Sequence, residues 1–153
     1  MIENRRSKID DRTSKTEHRQ SNIENRTPNI ETQNQKTMQQ KLDVWKVAHE
    51  LVLRVYKATE HFPKAEQFGL INQVRRSAAS IPANIVEGQA RHYKKEYIQF
   101  LYISRASAEE THYHLFLSRD LGYLDDEDYK TLEDSCIRIK MMLNKLIKSI
   151  DDR

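Results

Sequence analysis

The chain has 153 residues with 26 Lys and Arg against 23 Asp and Glu, a net charge of +3 that neither requires nor excludes a nucleic-acid partner. Charged residues make up 32% and the mean hydropathy is −0.86, so much of the chain must face water. Three glycines and three prolines are too few for the turns of a β-rich fold. The single cysteine, Cys136, cannot form an intrachain disulfide, which suits a reducing compartment. No segment reaches the ~18 apolar residues of a membrane-spanning helix, and residues 1–20 hold no apolar stretch of the secretory kind. The expected location is the cytoplasm, with no membrane partner.

Residues 1–40 read as a tandem heptapeptide repeat: IENRRSK, IDDRTSK, TEHRQSN, IENRTPN, IETQNQK from Ile2 onward. A coiled-coil seam needs apolar residues at both a and d, but here an isoleucine at a leaves arginine at d. One apolar residue in seven cannot offset the entropy of ordering. Pro28 reads as a helix breaker. The expectation is a disordered tail over 1–40 ahead of a domain over 41–153. The tail carries 8 basic and 6 acidic residues, a weak charge for an arm that binds nucleic acid.

Four helices are predicted in the domain. The first starts after Asp43 as N-cap, with Leu42 and Val47 as a hydrophobic staple. Trp45, Ala48, Val52, Val55, Thr59 and Phe62 share its apolar face. The second runs from Pro63 to Val86 or Glu87, with Ile71, Val74, Ala78, Ile81 and Ile85 inward. Pro82 kinks it, the small residues Ser77–Ser80 and Ala83 admit a close neighbour, and Gly88 caps it. The third spans Lys94–Leu121 with Tyr97, Leu101, Ser104, Ala108, Thr111, Leu115 and Ser118 inward, and Gly122 at a left-handed cap. The fourth follows Asp125, has Asp126, Glu127 and Asp128 in its first turn, and Leu124 and Tyr129 as staple. Tyr129, Leu132, Cys136, Ile139, Leu143, Leu146 and Ile150 form its unbroken 3-4 stripe. Connections of a few residues make successive helices antiparallel. The fold class is all-α, an antiparallel up-down-up-down four-helix bundle.

Chemistry is sparse in this pattern. A di-iron bundle needs two Glu-x-x-His motifs and two further glutamates. Only Glu109-Glu110-Thr111-His112 supplies one, with Glu109 turned from the core stripe. There is no phosphate loop and no nucleophile elbow. Cys136 falls in the core stripe, where an inert thiol is expected. Asn84 and Glu87, one turn apart near Pro82, are read as a structural hydrogen-bonding pair. The expectation is a protein without catalytic residues, metal or cofactor.

Two surfaces remain. Tyr102, Ala106, Tyr113 and Phe116 form a second stripe on the third helix, pointing away from the core, and suggest self-association. Bundle topology also gathers Lys41, Lys46, Arg91, Lys94, Lys95, Lys145, Lys148 and Arg153 at one end. Glu60, Glu66, Asp120, Asp125, Asp126, Glu127 and Asp128 collect at the other. A basic rim would attract phosphate backbones without reading sequence. The alternative is that these are ordinary solvated helix ends, diluted by Asp43, Glu87, Glu96, Asp151 and Asp152.

From Leu42 to about Ile150 the chain resembles the four-helix-bundle family of proteins encoded in 23S rRNA intervening sequences. The resemblance rests on LDVWK (42–46), FPK (62–64), QVRRSAASIPANIVEG (73–88) and Phe100-Leu101. It implies an antiparallel bundle able to close into a homopentameric ring. One branch of that family is accessory to diversity-generating retroelements, which implies a reverse transcriptase and nucleic acid as partners. Arg75, Arg76, Asn84 and Glu87 carry over as motif positions without an assigned role. Tyr93 departs from the family's small polar cap, and Arg105-Ala106-Ser107 from its common Arg-Gly-Ser. The bundle has 18 basic and 17 acidic residues, far from the strong basicity of the retroelement branch. The leading reading is therefore a non-enzymatic homo-oligomer that binds RNA or DNA through its basic end. The alternative is a structural or protein-interaction scaffold.

Overall fold

The computed structural model describes residues 27–152; residues 1–26 of the repeat tail, with its expected disorder, lie outside them. Four long helices make up the described chain: α1 Thr27–Ala58, α2 Leu70–Gln89, α3 Lys94–Asp120 and α4 Asp126–Asp151. No strand occurs among the described residues. The chain divides into two units, Met1–Met38 and Gln39–Arg153. Of the first, residues 27–38 are described and are helical. The second holds the bundle.

The start of α1 corrects the sequence reading. The helix begins at Thr27, not after Asp43, so residues 27–40 are helical where a disordered tail is expected. Pro28 lies in the first turn, where its missing N–H has no intrahelical partner to lose. From Asn29 to Ala58 there is no Gly or Pro, and Gln, Glu, Lys and Met are good helix formers. Asp43 caps nothing; its carboxylate accepts a 2.8 Å bond from Gln39 one turn back. Leu42 is exposed, so the Leu42–Val47 staple is absent. The buried stripe of α1 is also displaced from the expected one. Val44, Ala48, Leu51 and Val55 are enclosed, whereas Trp45 and Val52 sit partly exposed at its flank.

α2 starts seven residues later than expected. Pro63 is extended (φ −55°, ψ 136°), Lys64–Glu66 forms a single 3-10 turn, and the helix opens at Leu70. The Glu66 carboxylate accepts from the Leu70 N–H at 3.1 Å, satisfying a donor that the helix leaves orphaned. α2 remains continuous through Pro82. Gly88 is not its cap. It lies inside the helix, where an added Cβ would stand 2.7 Å from Phe100 Cβ and 2.8 Å from Tyr97 Cδ2. The glycine is there to let α2 and α3 approach.

α3 and α4 follow the expected stripes. Tyr97, Leu101, Ser104, Ala108, Thr111, Leu115 and Ser118 are all buried, as are all seven residues named for α4. Gly122 has φ +76°, the left-handed conformation that glycine adopts without strain. Asp125 accepts from the Asp128 N–H at 2.7 Å as the N-cap of α4. The Leu124–Tyr129 staple is buried.

Cross-helix bonds define the direction of packing. Thr111 bonds Ser77, Ser107 bonds Ser80, and Ser104 donates to the Ile81 carbonyl, so α2 and α3 run antiparallel. Arg105–Asn144, Glu109–Lys140 and His112–Glu133 do the same for α3 and α4. Arg75 reaches Thr59 and the Tyr56 carbonyl, while Trp45 shares a groove with Val86, which makes α1 and α2 antiparallel. The result is the up-down-up-down bundle. No helix among the described residues is long and apolar enough to cross a membrane.

Candidate nucleic-acid interface and flanking surfaces

The basic end forms where Lys41 of α1, the end of α2, the start of α3 and the end of α4 meet. Lys94 donates a 3.0 Å bond to the Asp151 carbonyl and so closes the last turn of α4. Lys41 lies 4.8 Å above the Tyr97 ring, and burial pushes that phenol up to about 12. Arg91 pairs with Glu87 at 2.5 Å and covers the Phe100 ring. Three of the candidate residues, Lys41, Arg91 and Lys94, therefore also hold the end of the bundle together. Lys46, Lys95, Lys145 and Lys148 are exposed. Arg153 lies outside the described residues.

The motif residues acquire distinct surroundings. Arg75 donates to Thr59 Oγ1 at 2.7 Å and to the Tyr56 carbonyl at 3.3 Å, with its guanidinium 4.7 Å over the Tyr56 ring. It thus neutralises carbonyls at the C-terminal end of α1, where the helix dipole favours a cation. Arg76, one residue on, is exposed. Asn84 and Glu87 do not meet. Asn84 donates to the Ser80 carbonyl and hydroxyl at 2.7 and 2.8 Å, whereas Glu87 is engaged by Arg91. Asn84 belongs with Ser77, Ser80, Ser107 and Thr111 to a ladder of short polar side chains that satisfy one another between α2 and α3.

On α3 the predicted stripe is exposed. Tyr102, Tyr113 and Phe116 expose 42%, 60% and 42% of their surfaces, and Ala106 lies between them. Arg105 and Arg119 cover the Tyr102 and Phe116 rings, at 5.0 and 4.6 Å. Tyr93 stands at the N-cap of α3 without a side-chain cap bond, so this departure from the family pattern leaves the helix start uncapped.

Sequence reasoning missed one polar cluster. His112 on α3 meets Glu133 on α4 at 3.1 Å, and the Tyr129 hydroxyl donates to the same carboxylate oxygen at 2.7 Å. Lys130 bonds the other oxygen at 3.1 Å. These donors hold the Glu133 carboxyl down to about 2. Burial, then the bond to Glu133, pushes Tyr129 up to about 12. His112 and Glu133 lie 21 residues apart, so no local pattern pairs them. Because the folded-state value of Glu133 is depressed, its contribution is complete above the ordinary 4.5 and disappears as pH falls toward 2. The melting temperature of Glu133→Gln should therefore lie below that of the parent at neutral pH and converge with it across that acid window. A constant offset down to pH 2 would contradict the assignment.

Cys136 is fully enclosed and burial pushes its thiol up to about 12. Glu109 is tied to Lys140 and His112 to Glu133, so the lone Glu-x-x-His pair is directed at α4. No group of three or more metal-ligating side chains converges among the described residues.

The helix order, the antiparallel packing and the stripes define the class: an up-down-up-down bundle whose distinguishing features lie on its surfaces. A family model for the 23S rRNA-intervening sequence protein matches residues 40–145. The chain belongs to that family. A crystal structure of a protein with unknown function from the S23 ribosomal protein family of Bacteroides thetaiotaomicron is similar. It aligns with a TM-score of 0.66 and 26% identity, over 71% of this chain and 98% of that one. No match is found among curated proteins.

Proposed function

We propose that the protein is a non-enzymatic, ring-forming homo-oligomer that binds RNA or DNA without sequence preference through its basic end, in the cytoplasm. The observation that supports the reading is the exposure of Lys46, Lys95, Lys145 and Lys148 in the half of the bundle whose end Lys41, Arg91 and Lys94 hold together. In a ring with parallel subunits these ends add, and phosphate contacts scale with their number. Five copies is the number the family resemblance suggests. A reverse transcriptase is a candidate partner on the same footing. The near balance of 18 basic and 17 acidic residues in the bundle favours a second reading, an assembled scaffold that binds no nucleic acid.

Binding to generic single- and double-stranded RNA and DNA, measured across salt, separates the two. Phosphate-driven binding must weaken steeply as salt rises. Lys145→Glu with Lys148→Glu should reduce affinity by at least about tenfold, since two contacts are lost and repulsion is added. Assembly with no binding at low salt would leave the scaffold. Unchanged affinity in the double variant would remove the proposed site.

A further inference from the structure

α1 carries a second stripe besides its core face. Leu42, Trp45, His49, Val52 and Tyr56 recur at spacings of 3, 4, 3 and 4, the pattern of a helix that packs against another along its length. None of the five is fully buried. With Ala79, Pro82, Ala83 and Val86 of α2, Trp45, His49 and Val52 of this stripe wall an apolar groove, in which Trp45 stacks on His49 at 5.2 Å. On α3, Tyr102, Ala106, Glu109, Tyr113 and Phe116 recur at 4, 3, 4 and 3. The two patterns share a period and lie on different faces of the same bundle.

We propose that the α1/α2 groove of one subunit receives the outer face of α3 from a second copy, with the two subunits parallel. This rests on the self-association in the proposed function and specifies its geometry. Three observations support the pairing. The first is register. The Arg75–Tyr56 and Thr111–Ser77 contacts place Trp45, His49, Val52 and Tyr56 level with Tyr102, Ala106, Glu109 and Tyr113. Parallel neighbours at equal height therefore bring the two stripes side by side in matching period.

The second is size. The α3 face presents large rings at Tyr102, Tyr113 and Phe116, and the floor of the groove is small, at Ala79 and Ala83. Level with His49, on which Trp45 stacks, α3 has the small Ala106.

The third is charge. Along the groove Arg76 lies toward the acidic end and Glu87 toward the basic end. Along the α3 face Glu109 and Glu110 lie toward the acidic end and Lys95 toward the basic end. Parallel docking brings Arg76 toward Glu110, while Glu87 is already paired with Arg91. Reversed docking brings Arg76 toward Lys95, and that repulsion disfavours it. Two different faces on one subunit make a heterologous contact, which a rotation closes into a ring. An isologous α3–α3 contact would leave the groove uncovered.

The test is disulfide crosslinking of the full chain. Cys136 stays in place because it is enclosed. His49→Cys together with Ala106→Cys should give a ladder of covalent oligomers under mild oxidation, and neither single variant should. Light scattering on the same samples reports assembly independently. An assembled protein without a ladder in the double variant would overturn this pairing and leave self-association standing. Dimers from Ala106→Cys alone would establish the isologous contact instead. A monomer at micromolar concentration would remove both the pairing and the assembly it rests on. Arg76→Glu should shift the protein toward monomer, and adding Glu110→Arg should restore the assembled mass; no recovery would break the charge assignment.

Discussion

Truncating Leu143 to alanine is expected to lower the unfolding free energy by about 2–5 kcal/mol. Leu143 is fully enclosed in the stripe of α4, among the largest side chains in the core. Removing its branch forfeits transfer free energy and leaves a void that rigid helices fill only in part. The neighbouring Met141→Ala gives the comparison, since Met141 is 67% exposed and should change stability by no more than about 0.5 kcal/mol. Urea unfolding at one fixed protein concentration measures both, because assembly makes apparent stability depend on concentration. Equal midpoints for the two variants would mean that the stripe is not the core.

Gly88→Ala should destabilise the bundle by forcing two helices apart. The new Cβ would stand 2.7 Å from Phe100 Cβ, and Phe100 Cβ is fixed to the backbone of α3 and cannot swing aside. Separating α2 from α3 costs about 1–3 kcal/mol, whereas alanine in place of glycine returns about 1 kcal/mol of helix propensity. The net expectation is a loss of up to about 2 kcal/mol, spread along the polar ladder, whose 3.0 Å Ser107–Ser80 and Thr111–Ser77 bonds require the same close approach. Gly122→Ala isolates the other use of glycine. Nothing lies within 4 Å of its would-be Cβ, but its φ of +76° costs an L-residue about 1–2 kcal/mol. A stabilised Gly88→Ala would show that the two helices are not in contact there.

The polar cluster and the motif show where local pattern stops being informative. Arg75 and Arg76 are adjacent and chemically identical in the sequence. One turns inward to the end of α1 and the other faces solvent, a distinction that exists only once α1 lies beside α2. Asn84 and Glu87 have the spacing of a pair, yet each has a better partner, in Ser80 and in Arg91. His112, Glu133 and Tyr129 carry no motif at all. Their meeting depends on the register between α3 and α4.

The sequence by itself determined the helices of the second half. Unbroken 3-4 stripes, the Asp125 cap and the glycine after α3 are local signals, and each follows from chain geometry within a few residues. It also determined the up-down order of the helices, because the connections are short. The start of α1 escaped it, because a polar segment shows no apolar period by which to recognise a helix. Only the tertiary structure decided which of two overlapping stripes on α1 faces the core. Trp45 and Val52 have the spacing of core residues, and so do Val44 and Leu51. Their hydrophobicity does not choose between them; packing in the assembled bundle does, enclosing Val44 and Leu51 and leaving the Trp45 stripe partly exposed.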